Sequence, residues 1–115
     1  MTKLTLYSIH AALDPGPIQN LSADVDENIP SLTLSWKPPV NVRSVDEVTE
    51  YQICFNPFGS ELFNEMTVSG STNSVVFTRD LGLEPLVHYH FQVRAKSGNK
   101  EGEWRDVSAY YGTNA

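Results

Sequence analysis

The chain has 115 residues, of which 40% are hydrophobic and 19% are charged, a balance typical of a single globular domain. Eight Lys and Arg stand against fourteen Asp and Glu, and the net charge of −6 argues against binding to nucleic acid or to an anionic membrane. Cys54 is the only cysteine, which excludes an intrachain disulfide and a cysteine-based structural zinc site. No segment approaches the roughly 20 apolar residues that a membrane-spanning helix needs, so direct membrane insertion is not expected.

The elements predicted along the chain are all short strands. Residues 1–14 are predicted to be a linker or tail, and Asp14-Pro15-Gly16-Pro17 marks the start of a domain that is expected to occupy residues 15–115. Beyond this boundary, seven stretches favour strands, and turn-forming residues separate them. The predicted strands span residues 18–25, 32–36, 48–56, 61–68, 75–78, 88–96 and about 106–113. No stretch has a helical period, and the pattern therefore indicates a β-sandwich.

The rest of the chain is organised around the corner that precedes the sixth predicted strand. Between Leu83 and Tyr89, Pro85 fixes its own φ angle and marks a tight turn. A tyrosine at the start of such a strand can bury its ring and direct its hydroxyl back to the preceding loop. We therefore predict a tyrosine corner, with the Tyr89 hydroxyl bonded to a carbonyl of that loop.

Several motifs carry a family resemblance through their order and spacing. They are Leu32-Thr33-Leu34-Ser35-Trp36-Lys37-Pro38-Pro39, Val48-Thr49-Glu50-Tyr51-Gln52-Ile53, the corner from Leu83 to Tyr89, Phe91-Gln92-Val93-Arg94-Ala95 and Gly102-Glu103-Trp104. Together they resemble a fibronectin type III domain across residues 15–113. The resemblance implies an all-β fold, a seven-stranded antiparallel Greek-key β-sandwich with sheets A-B-E and C′-C-F-G in the family's lettering. The structural core is expected to include Trp36, Tyr51, Leu83, Pro85 and Tyr89.

The resemblance also implies a class of function. Domains of this family are mostly non-catalytic interaction or spacer modules of cell-surface receptors and adhesion proteins, so we expect an extracellular location, no enzymatic activity and no cofactor. The expected partners are another protein or adjacent modules of the same chain, and the isolated module is expected to be monomeric. Two alternatives stay open, an accessory module of a secreted carbohydrate-active enzyme and a cytoplasmic, sarcomeric-type structural module. The chain lacks the Arg-Gly-Asp tripeptide and the Trp-Ser-x-Trp-Ser motif of some family members, so integrin binding and cytokine-receptor function are not expected.

Three predicted loops, at residues 38–47, 69–74 and 97–103, meet at one end of such a sandwich, where a rigid scaffold presents variable chain. The candidate partner-binding residues on or beside these loops are Val42, Arg43, Asn99, Lys100 and Trp104. Two other interpretations are equally open for the apolar residues among them: a loop folded back over the edge of the core, or contact with an adjacent module.

Several polar side chains are predicted to face outward from the strands. His88 and His90 lie two apart on one strand, and Cys54 near His90 suggests a zinc site or an activated thiol. No convincing third ligand is evident, so solvated side chains are the favoured interpretation. Cys54 is predicted to be an exposed free thiol that could crosslink two molecules under oxidising conditions. Arg94 and Lys96 could form a basic strip, although neutralisation by neighbouring residues is favoured at this net charge.

Asn20-Leu21-Ser22 is the only Asn-x-Ser/Thr tripeptide of the chain. Because Leu21 is expected to point inward, Asn20 should be exposed. We predict Asn20 as a candidate glycosylation site if a eukaryote secretes the protein.

Overall fold

In the computed structural model, residues 14–40 and 48–112 are described, and they form two facing antiparallel sheets. The strands are β1 (Gln19–Asp26), β2 (Ser31–Lys37), β3 (Glu50–Pro57), β4 (Asn64–Ser69), β5 (Ser74–Phe77), β6 (Val87–Ser97), β7 (Lys100–Glu101) and β8 (Arg105–Tyr111), with a short 3₁₀ turn at Arg79–Leu81. One sheet has the order β1-β2-β5, and in the other β4, β3 and β6 lie side by side while β7 and β8 both pair with β6. The predicted all-β sandwich and its division into two sheets are confirmed.

The strand count differs from the prediction by one. Lys100 and Glu101 pair with Ser97 and Lys96, so β7 is a two-residue extension of the β6 hairpin where a loop was expected. The predicted linker or tail at residues 1–14 lies outside the described residues except for Asp14.

The core lies between the sheets and follows the alternation of the sequence. Every second residue of β2, β3 and β6 is buried, because one face of each strand packs on the opposite sheet. The buried set contains Leu32, Leu34, Trp36, Tyr51, Ile53, Phe55, Tyr89, Phe91, Val93 and Ala95. Leu83 is also buried, whereas Pro85 is only half-buried, so placing Pro85 in the core was wrong. Pro85 belongs to the turn that enters β6, at the rim of the sandwich.

Aromatic rings join the two sheets. Phe77 of β5 contacts Phe55 and Phe91 edge-on, with ring centroids 5.0 Å and 5.2 Å away. At the other end of the core, Trp36 of β2 meets Tyr51 of β3 with a centroid separation of 5.3 Å. Such edge-to-face pairs add stability beyond the area that they bury, so these contacts hold the sheets face to face.

Tyr89 forms the predicted corner with a different bonding partner. Its hydroxyl accepts a hydrogen bond from the backbone N–H of Glu84 at 2.6 Å, not one donated to a carbonyl as we had predicted. A phenolic oxygen can donate or accept, and here the chain turns an N–H toward the ring. A second backbone bond, from Leu86 to the Tyr111 carbonyl at 2.7 Å, fastens the corner to β8. The corner therefore connects the loop before β6 to the larger sheet.

Replacing Tyr89 with phenylalanine is expected to lower the free energy of unfolding by about 1–3 kcal/mol, because the Glu84 N–H loses its partner in a partly buried position. Burial raises the pKa of the Tyr89 hydroxyl, and the bond from Glu84 partly offsets this. The unfolded chain would release that proton first, so stability should fall as the pH rises above about 10. Urea denaturation at neutral pH measures the loss of unfolding free energy in the variant. At alkaline pH, the free energy of unfolding should fall less in the variant than in the wild type.

Candidate binding surfaces

The end of the sandwich that carries the β2–β3, β4–β5 and β6–β7 connections is here called the upper pole. Thr49 links these connections: its N–H donates to the Lys96 carbonyl at 2.8 Å, and its Oγ1 accepts from the Gly98 N–H at 3.1 Å. Its carbonyl accepts from the Gly70 N–H at 3.1 Å. The described part of this pole is therefore tied together by backbone bonds.

The predicted binding residues that the structure describes, Asn99, Lys100 and Trp104, do not lie on one free loop. Val42 and Arg43 lie outside the described residues. The predicted loop at residues 97–103 is instead a tight hairpin, in which Gly98 with φ of 61° and Asn99 make the turn and Lys100 already belongs to β7. Of the predicted binding residues that the structure describes, only Asn99 is exposed, because pairing between Ser97 and Lys100 continues the ladder almost to the turn.

Trp104 is half-buried and serves as a platform for Arg94. The guanidinium carbon of Arg94 lies 4.3 Å from the centre of the indole ring. The same guanidinium donates to Gln52 Oε1 and to Glu101 Oε2, both at 2.6 Å. These contacts favour neutralisation by neighbours over a basic strip, and they occupy one face of the Trp104 ring that we had assigned to a partner.

Cys54 is buried, which corrects the prediction of an exposed thiol. Its side chain points away from the core, on the outer face of β3, but only 8% of the residue is accessible. Strands lie on both sides of β3, and the longer side chains of Glu65 and Gln92 stand opposite the short thiol. Burial and the Glu65 carboxylate raise the pKa of Cys54, while Arg94 lowers it to a smaller extent. The crosslinking and activated-thiol hypotheses therefore lose the accessible thiolate that they need.

The register also separates Cys54 from His90, because His90 stands opposite Asn56 and Cys54 opposite Gln92. His90 Nε2 lies 2.9 Å from Asp106 Oδ2. Within residues 14–40 and 48–112, no three His, Cys, Asp or Glu side chains cluster as they would around a metal ion.

Asn20 is exposed at a β-bulge of the edge strand β1, with a φ of 53°. The neighbouring Ser22 hydroxyl lies 3.0 Å from that of Ser35 on β2. The acceptor asparagine is thus presented to solvent at an irregular point of the backbone.

The opposite end of the sandwich carries a cluster that we did not predict from the sequence. This lower pole consists of the connections β1–β2 (27–30), β3–β4 (58–63) and β5–β6 (78–86), together with the strand ends beside them. On the outer face of the larger sheet, Phe58, His88 and Tyr110 form a row across β3, β6 and β8. The His88 ring lies 5.5 Å from Phe58 and 6.3 Å from Tyr110.

The backbone holds this aromatic row in place. The Phe58 N–H donates to the His88 carbonyl at 2.7 Å, so Phe58 continues the pairing of β3 with β6 one step beyond the strand. His88 pairs with Tyr110 in the β6–β8 ladder. Phe58 nevertheless remains 66% exposed. An apolar residue between Pro57 and Gly59, where turns are normally polar, was the sequence signal that could have indicated this surface.

Comparison with known proteins decides the family. The sequence model of the fibronectin type III domain family matches residues 16–109. The chain belongs to the fibronectin type III family. A solved structure of a computationally redesigned β-sandwich protein is similar to this fibronectin type III domain, with a TM-score of 0.68 and 16% identity over 86% of this chain and 92% of the other. The FN1–FN3 domains of chicken CNTN1 match with a TM-score of 0.67 and 21% identity, over 84% of this chain and 32% of the other. At these identities the structural matches show the fold alone.

No curated protein matches the sequence significantly. Across the described residues, the structure contains no helix of the length and apolar character that crossing a bilayer requires.

Proposed function

We propose that this fibronectin type III domain is a non-catalytic protein-interaction module of a larger cell-surface or adhesion protein. The observation that carries the proposal is the lower pole, which collects seven of the nine large hydrophobic side chains that the described residues expose. Concentrated exposed apolar surface is typical of interaction sites, whereas scattered exposed apolar residues are not.

Three further observations support this proposal. The family is non-catalytic in general, and the similar chicken CNTN1 structure contains FN domains FN1 to FN3, which supports a place within a larger multidomain protein. The exposed Asn20 acceptor supports an extracellular location, because the glycan that it would carry is added during secretion.

Binding to an array of purified ectodomains, probed with a multimer of the folded domain, tests the proposal. We expect saturable binding to at least one ectodomain and none with the multimerisation scaffold alone. If a multimer with the circular dichroism spectrum of the folded domain binds no ectodomain, the interaction function is wrong and a spacer role takes its place.

A further inference from the structure

We infer that the lower pole is a docking surface for a cationic protein segment, one that presents Arg or Lys beside apolar side chains. This inference rests on the proposed interaction function and adds the chemistry of the partner. It is carried by the coincidence of exposed aromatic rings and carboxylates that have no ion-pair partner among the described residues, at one end of the domain.

The apolar component of the surface is extensive. The exposed large side chains of the lower pole are 43% to 83% accessible, and they are Ile29, Phe58, Leu62, Phe63, Leu81, Leu86 and Tyr110. Phe58, Leu62 and Phe63 belong to one short connection, and Phe58 joins them to the row formed with His88 and Tyr110. Burial of such aromatic rings dominates the energetics of many interfaces.

The charged side chains of the lower pole are almost all negative. Six carboxylates lie on or next to the three lower connections, and they are Asp26, Glu27, Glu61, Glu65, Asp80 and Glu84. Arg79 is the single Lys or Arg in the same described segments, so six negative charges against one positive charge leave the pole at −5. Among the described residues, none of the three ion pairs, His90–Asp106, Arg94–Glu101 and Arg105–Glu103, includes any of these six carboxylates.

Carboxylates reach the aromatic row from two sides. Gly112 is close to both Tyr110 and Glu27, since a β-carbon placed on it would stand 2.9 Å from Tyr110 Cε2 and 3.6 Å from Glu27 Oε1. On the other side, Asp106 contacts the His90 ring, which itself lies 6.2 Å from Phe58. A guanidinium or ammonium group above these rings would therefore meet both π faces and negative charge.

The upper pole of this chain already contains a cation bound by an aromatic ring and a carboxylate. There Arg94 lies over the Trp104 ring while Glu101 accepts its hydrogen bond. The lower pole offers the same pairing of ring and carboxylate to a cation from another molecule. A second copy of this chain is a poor occupant, because two surfaces of charge −5 would repel one another.

The experiment is to pan a random-sequence displayed 12-residue peptide library against the immobilised folded domain and to sequence the enriched peptides. We expect a net positive charge, with Arg or Lys next to aromatic or aliphatic residues. Binding of the enriched peptides should weaken by about tenfold or more when NaCl rises from about 0.1 M to about 1 M.

Two pairs of variants locate the binding. Phe58→Ser and Glu61→Lys should each weaken the enriched peptides by about tenfold, because they remove a central ring and reverse a charge at the pole. The matched controls are Val76→Thr, on the outer face of the smaller sheet, and Glu103→Lys, which makes the same change of charge at the upper pole. Both controls should bind as the wild type does. All four side chains are exposed, so thermal melting should show the fold intact.

Enrichment of neutral or acidic peptides, or equal loss in variants and controls, overturns the inference. So does self-association of the wild type that Phe58→Ser abolishes, since a second copy would then occupy the pole. An ectodomain that binds the wild type and Phe58→Ser equally overturns this site and leaves the interaction function standing, whereas the proposed function fails only when no ectodomain binds.

Discussion

Truncating Phe91 to alanine is expected to lower the free energy of unfolding by about 3–5 kcal/mol, a large part of the stability of a domain of this size. Phe91 is fully buried in β6, the strand with which β3, β7 and β8 all pair. Its ring contacts Phe55 within the sheet and Phe77 across the core. The substitution would leave a cavity where the two sheets meet, and a close-packed interior collapses only partly around such a cavity.

Urea denaturation of Phe91→Ala beside Gln92→Ala measures this effect. Gln92 is the next residue of the same strand and faces away from the core, so its truncation should cost less than about 1 kcal/mol. A loss of that small size in Phe91→Ala would contradict the role of the ring in joining the sheets.

Replacing Gly70 with alanine is expected to cost about 3 kcal/mol, at the upper end of the usual cost of overpacking. Gly70 is buried in the β4–β5 turn, and a β-carbon built there would lie 1.8 Å from the Val48 carbonyl oxygen and 2.6 Å from its carbon. Both are backbone atoms, so no side-chain rotation relieves the clash. The turn must move away from the segment that leads into β3, and the bond from the Gly70 N–H to the Thr49 carbonyl breaks with it.

Gly59→Ala is the matched control for Gly70→Ala. Gly59 lies in the β3–β4 connection with a φ of 85°, and a β-carbon there would meet nothing within 4 Å. Its substitution should cost only about 1 kcal/mol, the strain of a left-handed backbone. Equal thermal destabilisation of the two variants would show that the backbone at Val48 yields to the clash and would contradict this prediction. A markedly lower melting temperature for Gly70→Ala supports the close approach.

The sequence predicted most of the fold because burial imposes a period of two on each half-buried strand. In β2, β3 and β6 a slip of one residue would turn the core side chains to solvent, so the alternation specifies both the strand and its inner face. The corner was predictable for a similar reason, since Pro85 marks a turn and Tyr89 lies near the start of the strand that follows it. The identity of the Tyr89 partner was not, because a hydroxyl bonds to an N–H as readily as to a carbonyl.

The candidate surfaces were predicted less well, because they depend on which strands lie side by side. Cys54 faces away from the core as the alternation indicates, but its burial comes from Glu65 and Gln92 on two neighbouring strands. Likewise, Trp104 follows a turn in the sequence and only the hairpin register brings Arg94 over its ring. Alternation along one strand specifies the direction in which a side chain points. It does not specify which side chains of the neighbouring strands lie beside it, or how long they are.

By itself, the sequence determined that this chain folds as a fibronectin type III sandwich with an acidic surface and a single thiol. Those properties follow from local pattern, composition and motif spacing, each of which is present in the linear sequence. The tertiary structure alone decided that the thiol is covered, that Arg94 is neutralised and that Phe58, His88 and Tyr110 share one exposed row. The physical reason is that cross-strand pairing joins residues tens of positions apart. The covering of Cys54, the bond from Arg94 to Gln52 and the aromatic row all depend on such pairing.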